Sequence, residues 1–321
     1  LQVRRTTTNP GNNVRIGDLL DKRLLFVTGK GGVGKSTVAL ALGLAASERG
    51  MRTIVCEVGL QEHASRVFRR AEVGFHEVEM RENLWTISID PDRALREYLM
   101  IQAPVRAMGE MVSRSRVFTY LTAATPGLKE LLTIGKIWEL AQLDRKVRKA
   151  RKYDLVLVDA PATGHGIGFM QTPRTFASIA RVGPIHGQAE AIGAFITDAK
   201  QTGAAIVSLP EEMAVNESEL LERELTEEVG VAVDRVYMNG MYPERISDDE
   251  AERLRGVAES VEGGARGAVR SALGERRRAT AHRVQLARLE ELVRTPVETL
   301  PFIFEPQLGV AGLERLAAEV A

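Results

Sequence analysis

Between Leu24-Leu-Phe-Val27 and the helix-forming stretch Thr37–Ser47 the chain reads Gly29-Lys30-Gly31-Gly32-Val33-Gly34-Lys35-Ser36-Thr37. An apolar strand, a glycine-rich turn and a helix in this order form the opening unit of a parallel α/β sheet. Glycines let backbone N–H groups converge on phosphate oxygens, and the helix N-terminus adds its positive end. Lys35 is placed to neutralise the β and γ phosphates of a nucleotide, and Ser36 to ligate Mg²⁺.

The rest of the chain agrees with a sheet of this kind. Short β-type runs at 24–28, 53–57, 84–89, 155–159, 204–209, 233–239 and 297–300 alternate with helical stretches. The expected fold class is therefore α/β, a mostly parallel sheet flanked by helices. Residues 1–21 are polar with an Asn-Pro-Gly-Asn-Asn cluster, so they read as a mobile lead-in and 22–321 as a single domain. Two stretches interrupt the strand–helix rhythm, about 93–150 and 166–202, and predict an inserted α-helical subdomain. Ser247-Asp-Asp-Glu250 has capping-box spacing and opens a helix, and an Arg-rich helix follows over about 265–294.

A second phosphate-side element is Tyr153-Asp-Leu-Val-Leu-Val158-Asp159-Ala-Pro-Ala-Thr-Gly164-His165. A buried strand that delivers one carboxylate at its C-terminal end is what a Mg²⁺-holding aspartate requires, which nominates Asp159. The following Pro and Gly disfavour the plainer reading of Asp159 as a helix cap. Gly164 lets the loop close on a γ-phosphate.

Composition narrows the partners. The 43 basic and 43 acidic residues cancel, so no global field draws the chain to nucleic acid or an anionic surface, and no nucleic-acid partner is expected. The arginines at 266, 270, 276, 277, 278 and 283 lack interleaved aromatics and lie near Glu275, Glu290 and Glu291, which reads as a solvated helix face. One cysteine, Cys56, cannot build a disulfide framework or a thiolate metal site within one chain. With no apolar run of membrane-spanning length, the expectation is a cytoplasmic protein, at most peripheral to a membrane.

Together, the Gly29–Thr37 motif, the Asp159-Ala-Pro-Ala-Thr-Gly-His165 segment, Leu209-Pro-Glu-Glu-Met-Ala-Val-Asn-Glu-Ser218, Asn239 at a strand end and Leu300-Pro-Phe-Ile-Phe-Glu305 carry a resemblance. The chain resembles the arsenite-pump and tail-anchored-protein-targeting ATPases, P-loop NTPases of the deviant Walker A class, and within them a bacterial anion-transporting branch. The resemblance covers about Lys22 to the C-terminus. It implies a Mg·ATP-dependent ATPase that acts as a conformational switch, coupled to membrane-protein targeting or transport. Lys30 matches the signature lysine that reaches the partner subunit's phosphates, which implies a face-to-face dimer with itself or with a paralogous subunit. Cofactors would be ATP and Mg²⁺. Asn239 would contact the base, with Pro301 and Phe302 from the late loop. The sequence Asn239-Gly-Met-Tyr242 lacks the carboxylate that reads guanine, so adenine is favoured.

Three departures matter. The family's switch segment starts with an aspartate that handles the attacking water; counting from the strand puts Glu57 in its place, as a candidate base with one methylene more. The single cysteine removes both the zinc clamp of the targeting ATPases and the thiolates that bind arsenite. The same count argues against an iron–sulfur reductase. The exchange at Glu57 leaves open a non-hydrolysing subunit that pairs with an active paralogue. A spatial organiser of the MinD or ParA type would share Lys30 but needs a basic membrane tail, and Leu313–Val320 is short and not basic. Apolar residues in the first insertion, among them Met108, Met111, Phe118, Leu131, Ile137, Trp138 and Leu140, suit either a groove for a hydrophobic client or the insertion's own core; the core reading is preferred.

Overall fold

The computed structural model describes residues 17–59, 62–102, 127–145, 147, 150–179 and 184–320. Its elements in chain order are α1 (Gly17–Leu20), β1 (Leu24–Gly29), α2 (Lys35–Glu48), β2 (Thr53–Val58), α3 (His63–Phe68), β3 (Val78–Arg81), β4 (Leu84–Ile89) and α4 (Pro91–Gln102). Then follow α5 (Leu128–Ala141), β5 (Leu155–Asp159), α6 (His165–Ile179), α7 (Pro184–Thr197), β6 (Thr202–Ser208) and α8 (Glu212–Arg223). A π-helical turn at Glu224–Val229 leads to β7 (Val233–Met241), α9 (Asp248–Val257), α10 (Gly263–Leu292), β8 (Val297–Pro301) and α11 (Val310–Glu319).

The strands form one eight-stranded sheet in the order β3-β4-β2-β5-β1-β6-β7-β8. Every pairing is parallel except that of β3 with β4. All seven runs expected from the sequence are strands. They read as continuous apolar runs because both faces of a parallel sheet are covered: β1, β4, β5 and β6 are buried throughout. The antiparallel β3 escaped the sequence reading because Val-Glu-Met-Arg at a sheet edge buries only Met80 and shows too little alternation over four residues.

Alternation along the strands splits the core between the two faces. On one face Leu25, Val27, Val55 and Leu157 pack with α2, with Ala64 and Val67 of α3, and with Leu313, Leu316 and Ala317 of α11. On the other, Phe26, Ile54, Cys56 and Val156 pack with Ile134, Ile137 and Leu140 of α5, with α6 and α7, and with Leu289 of α10. The C-terminal helix thus buries its apolar side in the core.

Leu19 and Leu20 are 1% and 2% exposed in the first of these packing groups, so the packed chain begins before Lys22. The helix after the glycine turn begins at Lys35, two residues earlier than the sequence suggests. In the first insertion Leu131, Ile137 and Leu140 are core residues and Trp138 packs against them; Met108, Met111 and Phe118 lie outside the described residues. Helices α4 to α7 pack on one another, and α5 also rests on β5. The Ser247–Glu250 capping box forms with both reciprocal hydrogen bonds. Arginines of α10 are engaged with nearby groups: Arg276 pairs with Asp248, Arg283 with Glu244, and Arg278 lies over Tyr242. Among the described residues, no helix is long and apolar enough to cross a membrane.

Candidate nucleotide site

Strand order decides where a ligand can sit. From β1 the chain proceeds to β2 on one side, and later strands add from β6 onward on the other, so the order reverses beside β1. Crevices at the C-terminal ends of strands at such a reversal are the binding places of open α/β sheets. The glycine turn leaves β1 here, and β5 lies alongside with Val27 opposite Asp159.

A cavity of about 370 Å³ opens at this point. Its lining brings together Gly31, Gly32, Gly34, Lys35, Ser36, Thr37 and Asp159, all nominated from the sequence, with His63, Ala160, Pro161 and Ala162, which were not. Two glycines of the turn are sterically required. A Cβ at Gly29 would run into the Val207 carbonyl, and Gly34, at φ 93°, would run into Asn239 Nδ2.

Ser36 Oγ donates to Asp159 Oδ2 at 2.5 Å. Burial pushes the Asp159 carboxyl above its ordinary range, against the opposing Ser36 bond and the Lys35 charge. Lys35 Nζ donates to the Lys30 carbonyl at 3.0 Å; burial lowers its pKa while Asp159 and Glu217 hold it up. A hydroxyl and a carboxylate side by side at a helix N-terminus are hard oxygen donors of the kind Mg²⁺ takes alongside substrate phosphates, so the donor set fits that ion.

Other nominated residues lie around the cavity without lining it. Asn239 sits inside β7, and its Nδ2 donates to the Val33 carbonyl at 2.9 Å, tying the glycine turn to the neighbouring half of the sheet. Pro301 pairs with Met241, and the Phe302 N–H donates to the Met241 carbonyl at 2.9 Å. Phe302 stacks at 4.9 Å with Tyr242 and with Phe304, and Phe302 itself is 39% exposed. Gly164 adopts φ 91° before α6, with open space where a Cβ would be. Lys30 is paired with Glu217 of α8 at 3.3 Å, and Glu217 also accepts from the Thr163 hydroxyl. One carboxylate of α8 therefore holds both the glycine turn and the loop after β5.

Glu57 is opposite Asp159 in the sheet register and faces the same side. Its Oε1 accepts from the Ala64 N–H of α3 at 2.8 Å, and its Oε2 is buried with no hydrogen-bond partner among the described residues. Burial, and less strongly the Asp159 charge, push its pKa up to about 7. His63, at the start of α3, reaches the cavity with its Nε2 3.4 Å from Thr37 Oγ1. The sequence offers one signal for it: a histidine shortly after the end of a parallel strand, where sites of this fold collect their residues. Glu217 lies in the Leu209–Ser218 segment that carries the resemblance, but its grip on Lys30 and Thr163 comes from where α8 packs.

A family model described as anion-transporting ATPase matches residues 22–187 and 177–260. The ATPase BagA of Mycobacterium tuberculosis is 31% identical over 220 residues, which is 66% of this chain and 64% of BagA. The ATPase get3 of Neurospora crassa is 29% identical over 179 residues, 53% of this chain and 50% of that protein. The match thus spans under two thirds of the length of these curated relatives.

Proposed function

The chain belongs to the anion-transporting ATPase family, and on that premise we propose that it hydrolyses ATP with Mg²⁺ and works as a conformational switch between two face-to-face subunits. The observation that carries this reading is the convergence of Lys35, Ser36 and the buried Asp159 on one cavity of about 370 Å³ at a helix N-terminus. In the reaction, water attacks the terminal phosphorus, the bond to the bridging oxygen breaks, and ADP and phosphate leave. Catalysis of this kind is positioning plus charge stabilisation. Ser36 and Asp159 would hold Mg²⁺, which when bound would supply neutralisation of the phosphate charge.

The chain's own groups do the rest. Backbone N–H groups of the glycine turn bind phosphate oxygens, and Lys35 balances their charge. Lys30, once released from Glu217, adds a cation across the dimer, so full stabilisation waits on assembly. Asn239 near the C-terminal end of β7 and Phe302 just after the neighbouring β8 are where an adenine ring would find an amide and an exposed aromatic face. Helices α4 and α6 follow directly on the ends of β4 and β5, so closure around nucleotide would move the helical insertions and pass the signal to a hydrophobic client or membrane protein.

The test is ATP turnover by the purified chain with Mg²⁺, beside Lys35→Ala and Lys30→Ala, with the mass in solution measured in ATP and in ADP. The expected result is turnover and an ATP-dependent dimer, both lost in Lys30→Ala. Failure of the wild type to bind ATP at all would overturn the reading.

The second reading, a non-hydrolysing subunit that pairs with an active paralogue, draws support from Glu57. The expected base is hidden, bonded to α3 and absent from the cavity lining. Under that reading the chain binds ATP alone and turnover appears only on adding the paralogous subunit.

A further inference from the structure

We propose that His63 is a substrate-contacting residue of this site, its ring Nε2 bonding the phosphate chain of the nucleotide, and that Glu57 is the positioning residue that holds it there. The proposal rests on the nucleotide-binding reading above.

The imidazole stands over the first turn of α2 beside Lys35, Ser36 and Thr37, where the backbone N–H groups that would bind phosphate are gathered. Its one polar contact there among the described residues, Thr37 Oγ1 at 3.4 Å, is at the long limit of a hydrogen bond. The ring therefore faces the cavity with bonding capacity to spare. Burial, and then the Arg66 guanidinium, lower its pKa from the ordinary range, which favours the neutral ring. A neutral ring carrying hydrogen on Nε2 donates to a phosphate oxygen without adding a charge that must be desolvated.

What keeps the ring in place is a set of bonds away from the cavity. Glu57 Oε1 accepts the Ala64 N–H, one residue along α3 from His63. Ala64 and Val67 bury the back of α3 against α2. Glu62 and Arg69, on either side of the helix, both take left-handed backbone angles, φ 43° and 51°, in spite of their side chains. Residues with a Cβ hold that conformation only where the surroundings over-determine it. Glu62 is pinned in turn by the Gly74 N–H at 3.1 Å. This arrangement gives Glu57 work to do without entering the cavity: the carboxylate acts on the nucleotide through α3 and His63.

Equilibrium binding of ADP and of a non-hydrolysable ATP analogue to the full chain separates the possibilities. The proteins needed are the wild type, His63→Ala, His63→Gln, Glu57→Ala, the His63→Ala/Glu57→Ala pair, and Lys35→Ala, each checked by thermal unfolding. His63→Ala is expected to weaken binding by about ten- to a hundredfold, the range of a hydrogen bond to a charged group. His63→Gln, with an amide N–H near the Nε2 position, should recover part of the loss. Glu57→Ala should weaken binding, and the double variant should be no weaker than the worse single, because both act through one contact. Wild-type binding that Lys35→Ala abolishes but His63→Ala leaves untouched would overturn this proposal alone. Absence of binding by the wild type would overturn the nucleotide reading itself. Additive losses in the double variant would refute the positioning role of Glu57.

Discussion

Replacing Glu57 by glutamine tests the energetics of the most deeply buried acid beside the cavity. Glu57 is 1% exposed, and its Oε2 has no hydrogen-bond partner among the described residues. Burial raises its pKa from 4.5 to about 7. Between these values the folded chain keeps the proton and the unfolded chain has lost it, so the folded state binds more protons and stability falls as pH rises. The penalty is absent below about pH 4.5 and complete above about pH 7. At about 1.4 kcal/mol per unit, a shift of this size is worth about 3 kcal/mol. Glu57→Gln keeps an oxygen for the Ala64 N–H and removes the titration.

The unfolding free energy of nucleotide- and metal-free protein, measured in urea at steps from about pH 5 to 8, should therefore show the variant gaining on the wild type by up to about 3 kcal/mol as pH rises, then levelling. Asp159, whose pKa is also raised by burial, contributes a slope of the same sign that cancels in the difference to first order. A difference that does not change with pH, or that shrinks as pH rises, would refute the reasoning.

Gly34→Ala should destabilise the chain by more than about 1 kcal/mol and abolish nucleotide binding, because the new methyl group displaces Asn239 from Val33 at a left-handed backbone position; urea unfolding and nucleotide titration read the two effects. Arg145→Ala should cost about 3 kcal/mol in the same unfolding assay, since the Arg145 side chain is 1% exposed and its loss leaves Glu77, bonded at 2.6 Å, with only the Tyr153 hydroxyl and Glu139, bonded at 2.8 Å, with only Lys136 among the described residues. Glu217→Gln should change the unfolding free energy by less than about 1 kcal/mol, because the Lys30 and Glu217 side chains are 34% and 28% exposed; a larger loss would mean that this pair holds the fold as well as the lysine.

The parts legible in the sequence share one property: their residues are contiguous. Gly29 to Thr37 form, from neighbouring backbone groups, the glycine turn and helix start proposed as the phosphate site, so spacing alone announces them. Asp159 is legible because a lone acid closing an apolar run is costly to bury unless it has a cation or donor to meet. The parallel sheet is legible because its strands, covered on both faces, are apolar runs. The four residues of β3 escaped because a short polar edge strand satisfies its pattern by pairing with β4, not by burying a face.

Glu57 shows where such reading stops. Its place at the end of β2, next to Asp159, follows from counting along the strand; its attachment to α3, and the delivery of His63 to the cavity instead, do not. The grip of Glu217 on Lys30 and Thr163 joins residues 187 and 54 positions apart. Bonds of this length depend on strand order and on how helices settle against the sheet, and no local periodicity encodes either. The sequence by itself determined the glycine turn after β1, the place proposed here for phosphate, because that geometry is local. Only the tertiary structure decided which acid faces the cavity, which faces a helix, and where Lys30 rests, because each choice is made by groups that meet only once the sheet is assembled.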